Sequence, residues 1–162
     1  MRNKETEKLF NLAYTDTLTG VYNRAAYEER LAKLRKNNAR LENGMVVFVE
    51  YDEHFDVDEF YGKVIGDEAL RAMADCIKRT VGKKADVYRL WNAYFVCIAE
   101  REIFSYVSEL KDLIKFESRE KIYPFSANYG YAQFNPKKHK TIDDLLLHCD
   151  KKLIEAKKRK YS

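Results

Sequence analysis

The side chains best suited to metal or nucleophilic chemistry in this sequence are Cys76, Cys97, Cys149, His54, His139 and His148. A structural zinc site collects cysteine and histidine ligands from short paired spacings, and a disulfide framework uses an even number of cysteines. Neither pattern occurs. The three cysteines are scattered, so they read as plain core thiols in a reducing, cytoplasmic setting, and the dispersed histidines take no metal or catalytic assignment. The second chemical feature is cationic: Lys151, Lys152, Lys157, Lys158, Arg159 and Lys160 crowd the end of the chain. Such a cluster can hold nucleic acid or phosphate. Here, however, Ile142, Leu145, Leu146, Cys149, Leu153 and Ala156 recur at three- and four-residue steps. That period describes a helix with one buried stripe and a solvated lysine face, which argues against generic nucleic-acid binding.

The elements that must position these groups follow from the pattern. At 162 residues, 46% hydrophobic and 35% charged, with a net charge of +4, the chain suits one compact domain with a real core. No apolar run approaches the ~18 residues of a membrane span, and the charged opening Met1 to Lys8 does not resemble a signal peptide. Ala26, Tyr27, Leu31 and Leu34 share a face, which predicts a helix of about fifteen residues from Arg24 that Asn37-Asn38 ends. The apolar run Met45 to Tyr51 predicts a central strand. A helix follows Gly66, with Leu70, Met73, Ala74 and Ile77 inward and Gly82 as its stop. Asp86 to Leu90 and Tyr94 to Ala99 predict a hairpin around Trp91-Asn92-Ala93. A helix over Glu102 to Phe116, a strand over Phe125 to Ala132 and a last helix with Thr141 as its N-cap complete the pass. Strands and helices in this order predict an α/β sandwich, helices packed around a sheet containing antiparallel pairs.

Four motifs narrow the reading. Asp16-Thr17-Leu18-Thr19-Gly20-Val21-Tyr22-Asn23-Arg24 matches Asp-x-Leu-Thr-Gly-x-x-Asn-Arg, Gly66-Asp67-Glu68-Ala69-Leu70 matches Gly-Asp-x-x-Leu, and residues 125–132 (FSANYGYA) are similar to a strand ending Ser-x-Gly-x-Ala. Cys149 to Lys157 (CDKKLIEAK) is similar to Ala-Asp-x-Ala-Leu-Tyr-x-Ala-Lys. In order and spacing these resemble the landmarks of GGDEF domains, the diguanylate cyclase family, over roughly residues 15–160. The resemblance implies the nucleotidyl-cyclase-like α+β sandwich, with residues 15–162 as the domain and the charged residues 1–14 as a linker helix arriving from an upstream sensor module.

It also implies a chemistry that the residues do not repeat. A diguanylate cyclase joins two GTP molecules, which requires divalent cations held by carboxylates, a cation for developing charge, and backbone that lets phosphates approach. Trp91-Asn92-Ala93-Tyr94-Phe95 stands where the family carries Gly-Gly-Asp-Glu-Phe. Glu50 takes the place of the first metal-binding Asp, Ala93 and Tyr94 replace the hairpin carboxylates, and Phe55 replaces the charge-stabilising Lys, with His54 one position too early to substitute. Two glycines there would let phosphates lie against main-chain N–H groups; Trp91 and Asn92 cannot both do so, although Asn92 tolerates the left-handed turn. Asp67 matches the guanine-reading Asp or else complements a helix N-terminus, and Asp58 replaces the guanine-reading Asn. Lys157 matches a phosphate-binding Lys or else is one more solvated lysine, while the expected Gly and Arg beyond it are Lys160 and Tyr161. The inhibitory Arg-x-x-Asp would fall on Gly82-Lys83-Lys84-Ala85, so no cyclic di-GMP inhibitory site is expected. Trp91, Tyr94 and Phe55, all at active-site positions, are expected to lie together as an interaction surface.

The sequence therefore reads as a degenerate, catalytically inactive GGDEF domain, a regulatory or protein-interaction module of bacterial signalling that binds a protein partner or forms a homodimer. It is expected to need no cofactor and to hold magnesium at most weakly through Glu50. The alternative is a weak GTP sensor using Asp58, Asp67 and Lys157; residual cyclase activity is the least favoured reading.

Overall fold

A strand that is apolar on both faces has to lie in the middle of a sheet with layers above and below it, and residues Met45–Asp52, strand β1, are buried at all but one position. In the computed structural model, which describes residues 3–37 and 41–161, the chain forms α1 (Lys4–Tyr14), α2 (Arg24–Lys36), β1, α3 (His54–Tyr61), α4 (Lys63–Thr80), β2 (Asp86–Trp91), β3 (Tyr94–Ala99), α5 (Phe104–Ser118), β4 (Ser126–Gln133) and α6 (Ile142–Tyr161). The sheet order is β2-β3-β1-β4. β1 pairs antiparallel with both β3 and β4, and β2 pairs antiparallel with β3. This is the expected α+β sandwich.

Alternation along β1 sorts the core into two layers. Met45, Val47, Val49 and Tyr51 enter one cluster with Leu70, Met73 and Ile77 of α4 and Val107, Leu110 and Ile114 of α5. Val46 and Phe48 enter the other with Leu31 and Leu34 of α2 and Leu145, Cys149 and Leu153 of α6. The second layer is unusually close at one point: a Cβ on Gly130 of β4 would stand 2.2 Å from the Cys149 carbonyl oxygen and 2.5 Å from the Leu153 nitrogen. Only glycine lets α6 lie that near the sheet. Cys76, Cys97 and Cys149 are buried and unbridged, as core thiols should be. Burial pushes the Cys97 and Cys149 thiols up to about 12, far from the thiolate that nucleophilic chemistry needs.

The opening motif is a structural knot. Asp16 accepts from the Thr19 backbone N–H at 3.0 Å and its hydroxyl at 2.6 Å, Gly20 takes φ 77°, and Asn23 caps α2 through the Ala26 N–H at 3.0 Å. Tyr22 then bonds to β2 through Val87 and Arg89. At the other end, Thr141 accepts from the Asp144 N–H at 3.3 Å while Asp144 accepts from the Thr141 N–H at 3.1 Å, a reciprocal capping box that begins α6.

Two expectations need correction. The helix expected after Gly66 begins at Lys63, and a separate helix, α3, precedes it; Gly62 at φ 88° makes the break. Trp91 closes β2 and lies outside the turn, which is Asn92-Ala93 alone. Asn37 caps α2, while Asn38 lies outside the described residues. No helix among the described residues is long and apolar enough to cross a membrane.

His139, buried beside Phe134, accepts the Asn135 N–H on Nδ1 at 2.9 Å, so its neutral form carries the proton on Nε2 and donates it to His148 Nδ1, also at 2.9 Å. Burial holds both imidazoles below the ordinary value of 6.5; at His139 the charges of His148 and Lys138 add to this and Asp144 opposes it, and at His148 Lys152, Lys138 and Lys151 add to it and Glu155 opposes it. The unfolded state thus binds protons that the folded state refuses, so stability is complete above pH ~6.5 and falls as pH drops below it. One such proton costs at most about 1.4 kcal/mol per pH unit, roughly 2–4 °C of Tm per kcal/mol in a domain of this size. Thermal melts between pH 7.5 and 5 should show this loss, and His148→Gln, which still accepts from His139, should flatten part of it.

Candidate functional site

The β2–β3 hairpin, the end of β1 and helix α3 converge on one cavity of about 350 Å³, lined among others by Glu50, His54, Phe55, Asp58, Trp91 and Tyr94. The hairpin turn keeps its shape without glycine. Asn92 adopts φ 45°, Arg89 Nε donates to the Asn92 carbonyl at 2.7 Å, and the buried Ala93 accepts from the Tyr51 N–H at 2.9 Å. Arg89 also reaches Asp16 at 3.1 Å, so the turn is anchored to the opening motif. Burial alone would raise the Asp16 carboxyl, but the bonds from Thr19 and Arg89 outweigh it and hold it below the usual carboxylate range.

The three aromatic candidates all line this cavity, and two of them touch. Trp91 stacks on Tyr94 with ring centroids 5.2 Å apart and planes 23° from parallel, and the Arg24 guanidinium stands 5.3 Å from the indole centroid. Tyr94 packs on Phe48 at 5.6 Å, and burial pushes its phenol pKa upward. Trp91 remains 51% exposed and Phe55 73% exposed, so the indole is not core filling; it caps the cavity and faces solvent.

The polar candidates behave differently from their expectations. Glu50 and Lys157 form one unit: the ammonium lies 3.1 Å from each Glu50 carboxylate oxygen. Lys157 is therefore not a solvated lysine of the outer face. Asp67 sits in the second turn of α4, away from the helix N-terminus, and its carboxylate takes Lys63 at 3.1 Å; it does not line the cavity. Asp58 does. Its Oδ1 is buried and, among the described residues, has no hydrogen-bond partner; the His54 imidazole stands beside it with Nε2 at 4.0 Å. That nitrogen is spent on the Gly66 carbonyl at 2.9 Å. A Cβ on Gly66 would stand 1.7 Å from Asp58 Oδ1, so a larger residue there would make the Asp58 carboxylate turn away.

Sequence reasoning named Lys157 but missed the carboxylate it pairs with, and it missed Arg24 and Lys160 as neighbours of the site. Arg24 over Trp91, and Lys157 and Lys160 reaching Glu50 and Asp52, were readable only as a same-face pair Glu50-x-Asp52 and a same-side pair Lys157-x-x-Lys160. The Tyr161 side chain lies outside the described residues. The magnesium ion that the resemblance implies does not fit this donor set: Glu50 is already bound to an ammonium, Ala93 and Tyr94 offer no carboxylate, and among the described residues no group of three or more His, Cys, Asp or Glu could hold a metal.

A family model described as "Diguanylate cyclase, GGDEF domain" matches residues 13–162. The probable diguanylate cyclase DgcI of Escherichia coli K12 is 24% identical over 96% of this chain, which covers 34% of that protein. The chain spans about a quarter to a third of the length of the curated relatives it matches. Among solved structures, the coiled coil and GGDEF domain of DgcB from Caulobacter crescentus, in complex with c-di-GMP, superimposes with TM-score 0.79 at 21% identity, covering 96% of this chain and 86% of that one. The diguanylate cyclase SiaD of Pseudomonas aeruginosa, in complex with its activator SiaC, gives TM-score 0.79 at 17% identity, over 96% of this chain and 63% of that one.

A ligand raises stability by RT ln(1 + [L]/Kd). With Lys157 paired and Asp67 outside the cavity, 1 mM GTP is expected to bind with Kd above ~1 mM and so add at most about 0.4 kcal/mol, roughly 1 °C in Tm. Differential scanning fluorimetry checks this, and micromolar GTP binding abolished by Asp67→Ala would contradict it.

Proposed function

The chain belongs to the GGDEF domain family, and from that premise we propose that it is a catalytically inactive member, a cytoplasmic regulatory module of cyclic di-GMP signalling that binds a protein partner or a second copy through the Trp91 surface. The observation that carries this reading is the Glu50–Lys157 pair: the surviving metal-position carboxylate holds an ammonium at 3.1 Å through both oxygens, while the hairpin beside it supplies Ala93 and Tyr94. Losing one preorganised charge-stabilising group costs on the order of 10²–10³ in rate. Here the second carboxylates, the glycine pair and the lysine position at Phe55 have all changed. Such losses do not multiply freely, yet one or two suffice to bring a slow enzyme near background.

The interaction role rests on the exposed Trp91, stacked on Tyr94 and joined by Arg24. Trp, Tyr and Arg are the residues that dominate interface energetics. SiaD in complex with its activator is an instance of a relative engaging a protein. Helix α1, none of whose residues is buried, is read as the linker from an upstream sensor. A second reading, a weak nucleotide sensor, is favoured by the buried Asp58 Oδ1, an acceptor without a partner among the described residues.

Purified protein is expected to form no cyclic di-GMP from GTP with magnesium or manganese, assayed by chromatography; turnover that disappears in Glu50→Gln would overturn the assignment. Trp91→Ala is expected to leave Tm within a few degrees, since half of the indole is already in solvent. It should weaken association with a partner or a second copy by roughly 2 kcal/mol or more, read by sedimentation. Severe unfolding with association unchanged would make Trp91 a packing residue only.

A further inference from the structure

Glu50 and Asp52, two apart on β1, project from the same face of the strand, the face that α6 covers. Lys157 and Lys160, three apart on α6, share one side of that helix. Docking α6 on the sheet brings the two pairs into register: Lys157 Nζ lies 3.1 Å from both oxygens of Glu50, and Lys160 Nζ contacts Asp52 Oδ2 and lies 3.3 Å from Ser126 Oγ. The Asp52 side chain is only 5% exposed. A carboxylate so placed needs a counter-charge, because removing one partner of a buried pair leaves an uncompensated ion. The lysines also stand in the last turns of α6, where cations complement the carbonyl end of the helix.

We propose that Lys157 and Lys160 are built-in counter-cations, occupying the acidic end of β1 in place of a divalent metal ion. Lys157 is then a positioning and charge-compensating residue, in contrast to the phosphate-binding role that the resemblance implies. A tethered ammonium is always present at its carboxylate and needs no dehydration comparable to that of magnesium, which gives up water reluctantly. The site is thus closed to metal by the chain's own residues, and its geometry no longer depends on metal supply. Glu50 and Asp52 remain hard oxygen donors of the kind that oxygen-seeking cations select, so removing the lysines should uncover a cation site.

Terbium(III) alone is the probe, its emission sensitised by exciting the aromatic pair; Tyr94 lies directly across from Glu50 in the β1–β3 register. Lys157→Met/Lys160→Met is expected to bind terbium at least tenfold more tightly than the wild type, and adding Glu50→Gln and Asp52→Asn should return it to the wild-type level. Lys151→Met/Lys158→Met, which makes the same change in net charge on the exposed face, should gain nothing. Because the double lysine variant takes the Lys160 ammonium away from the buried Asp52, Lys157→Met alone serves as the second test: its freed Glu50 is partly solvated, and it should fold, bind terbium more tightly than the wild type and melt higher with calcium, which leaves the wild-type Tm unchanged. Equal terbium affinity in wild type and lysine variants, or a gain that survives loss of the carboxylates, overturns the proposal. These readouts involve neither a partner nor turnover, so their failure is separate from failure of the proposed interaction role.

Discussion

The burial of β1 on both faces is the constraint from which the rest follows. A strand covered by α4 and α5 on one side and by α2 and α6 on the other must be apolar through its length, and Met45 to Val49 are buried without exception. At its end the sequence changes abruptly to Glu50, Tyr51 and Asp52. Tyr51 stays in the first core layer and sends its hydroxyl to the Pro124 carbonyl at 2.6 Å. The two carboxylates emerge on the α6 side, next to a helix held at backbone distance by Gly130. Their charges therefore meet whatever α6 presents, and α6 presents Lys157 and Lys160.

The same constraint sorts the residues of the family motifs by what they do in the fold. Phe95 is fully buried in the first layer and is retained. Asn92 and Ala93 preserve the turn, one by accepting a left-handed backbone and the other by fitting under the Tyr51 N–H. Gly20 supplies a backbone angle that other residues rarely adopt, Gly130 allows the close approach of α6, and Gly66 lies directly against the Asp58 carboxylate. Facing the cavity, Trp91, Tyr94 and Phe55 present aromatic rings.

The aromatic replacements have a coherent geometry of their own. Tyr94 is anchored inward on Phe48, and Trp91 leans outward on Tyr94 with Arg24 beside it. Indole, phenol and guanidinium bind through faces and edges and keep few rotatable bonds once stacked, so a cluster half in solvent is suited to contact with another macromolecule.

Much of the fold was legible in the sequence because period and punctuation are local. The run Met45 to Tyr51, the three- and four-residue steps of Ile142 to Ala156, and the cap at Thr141 each encode their element within a few residues. The boundary at Gly62 was not legible: the α3–α4 break depends on one left-handed glycine inside a segment without strong periodicity. For the site, the sequence determined which side chains stand there, since Ala93 bearing no carboxylate and Phe55 no ammonium is a matter of identity alone. It also placed Trp91, Tyr94 and Phe55 together. Tertiary structure decided what the remaining charges do. Whether Lys157 is solvated, binds phosphate or neutralises Glu50, and whether Asp67 faces the cavity, depends on how α6 and α4 sit against the sheet, because a Coulomb interaction is set by the distance between groups far apart in sequence.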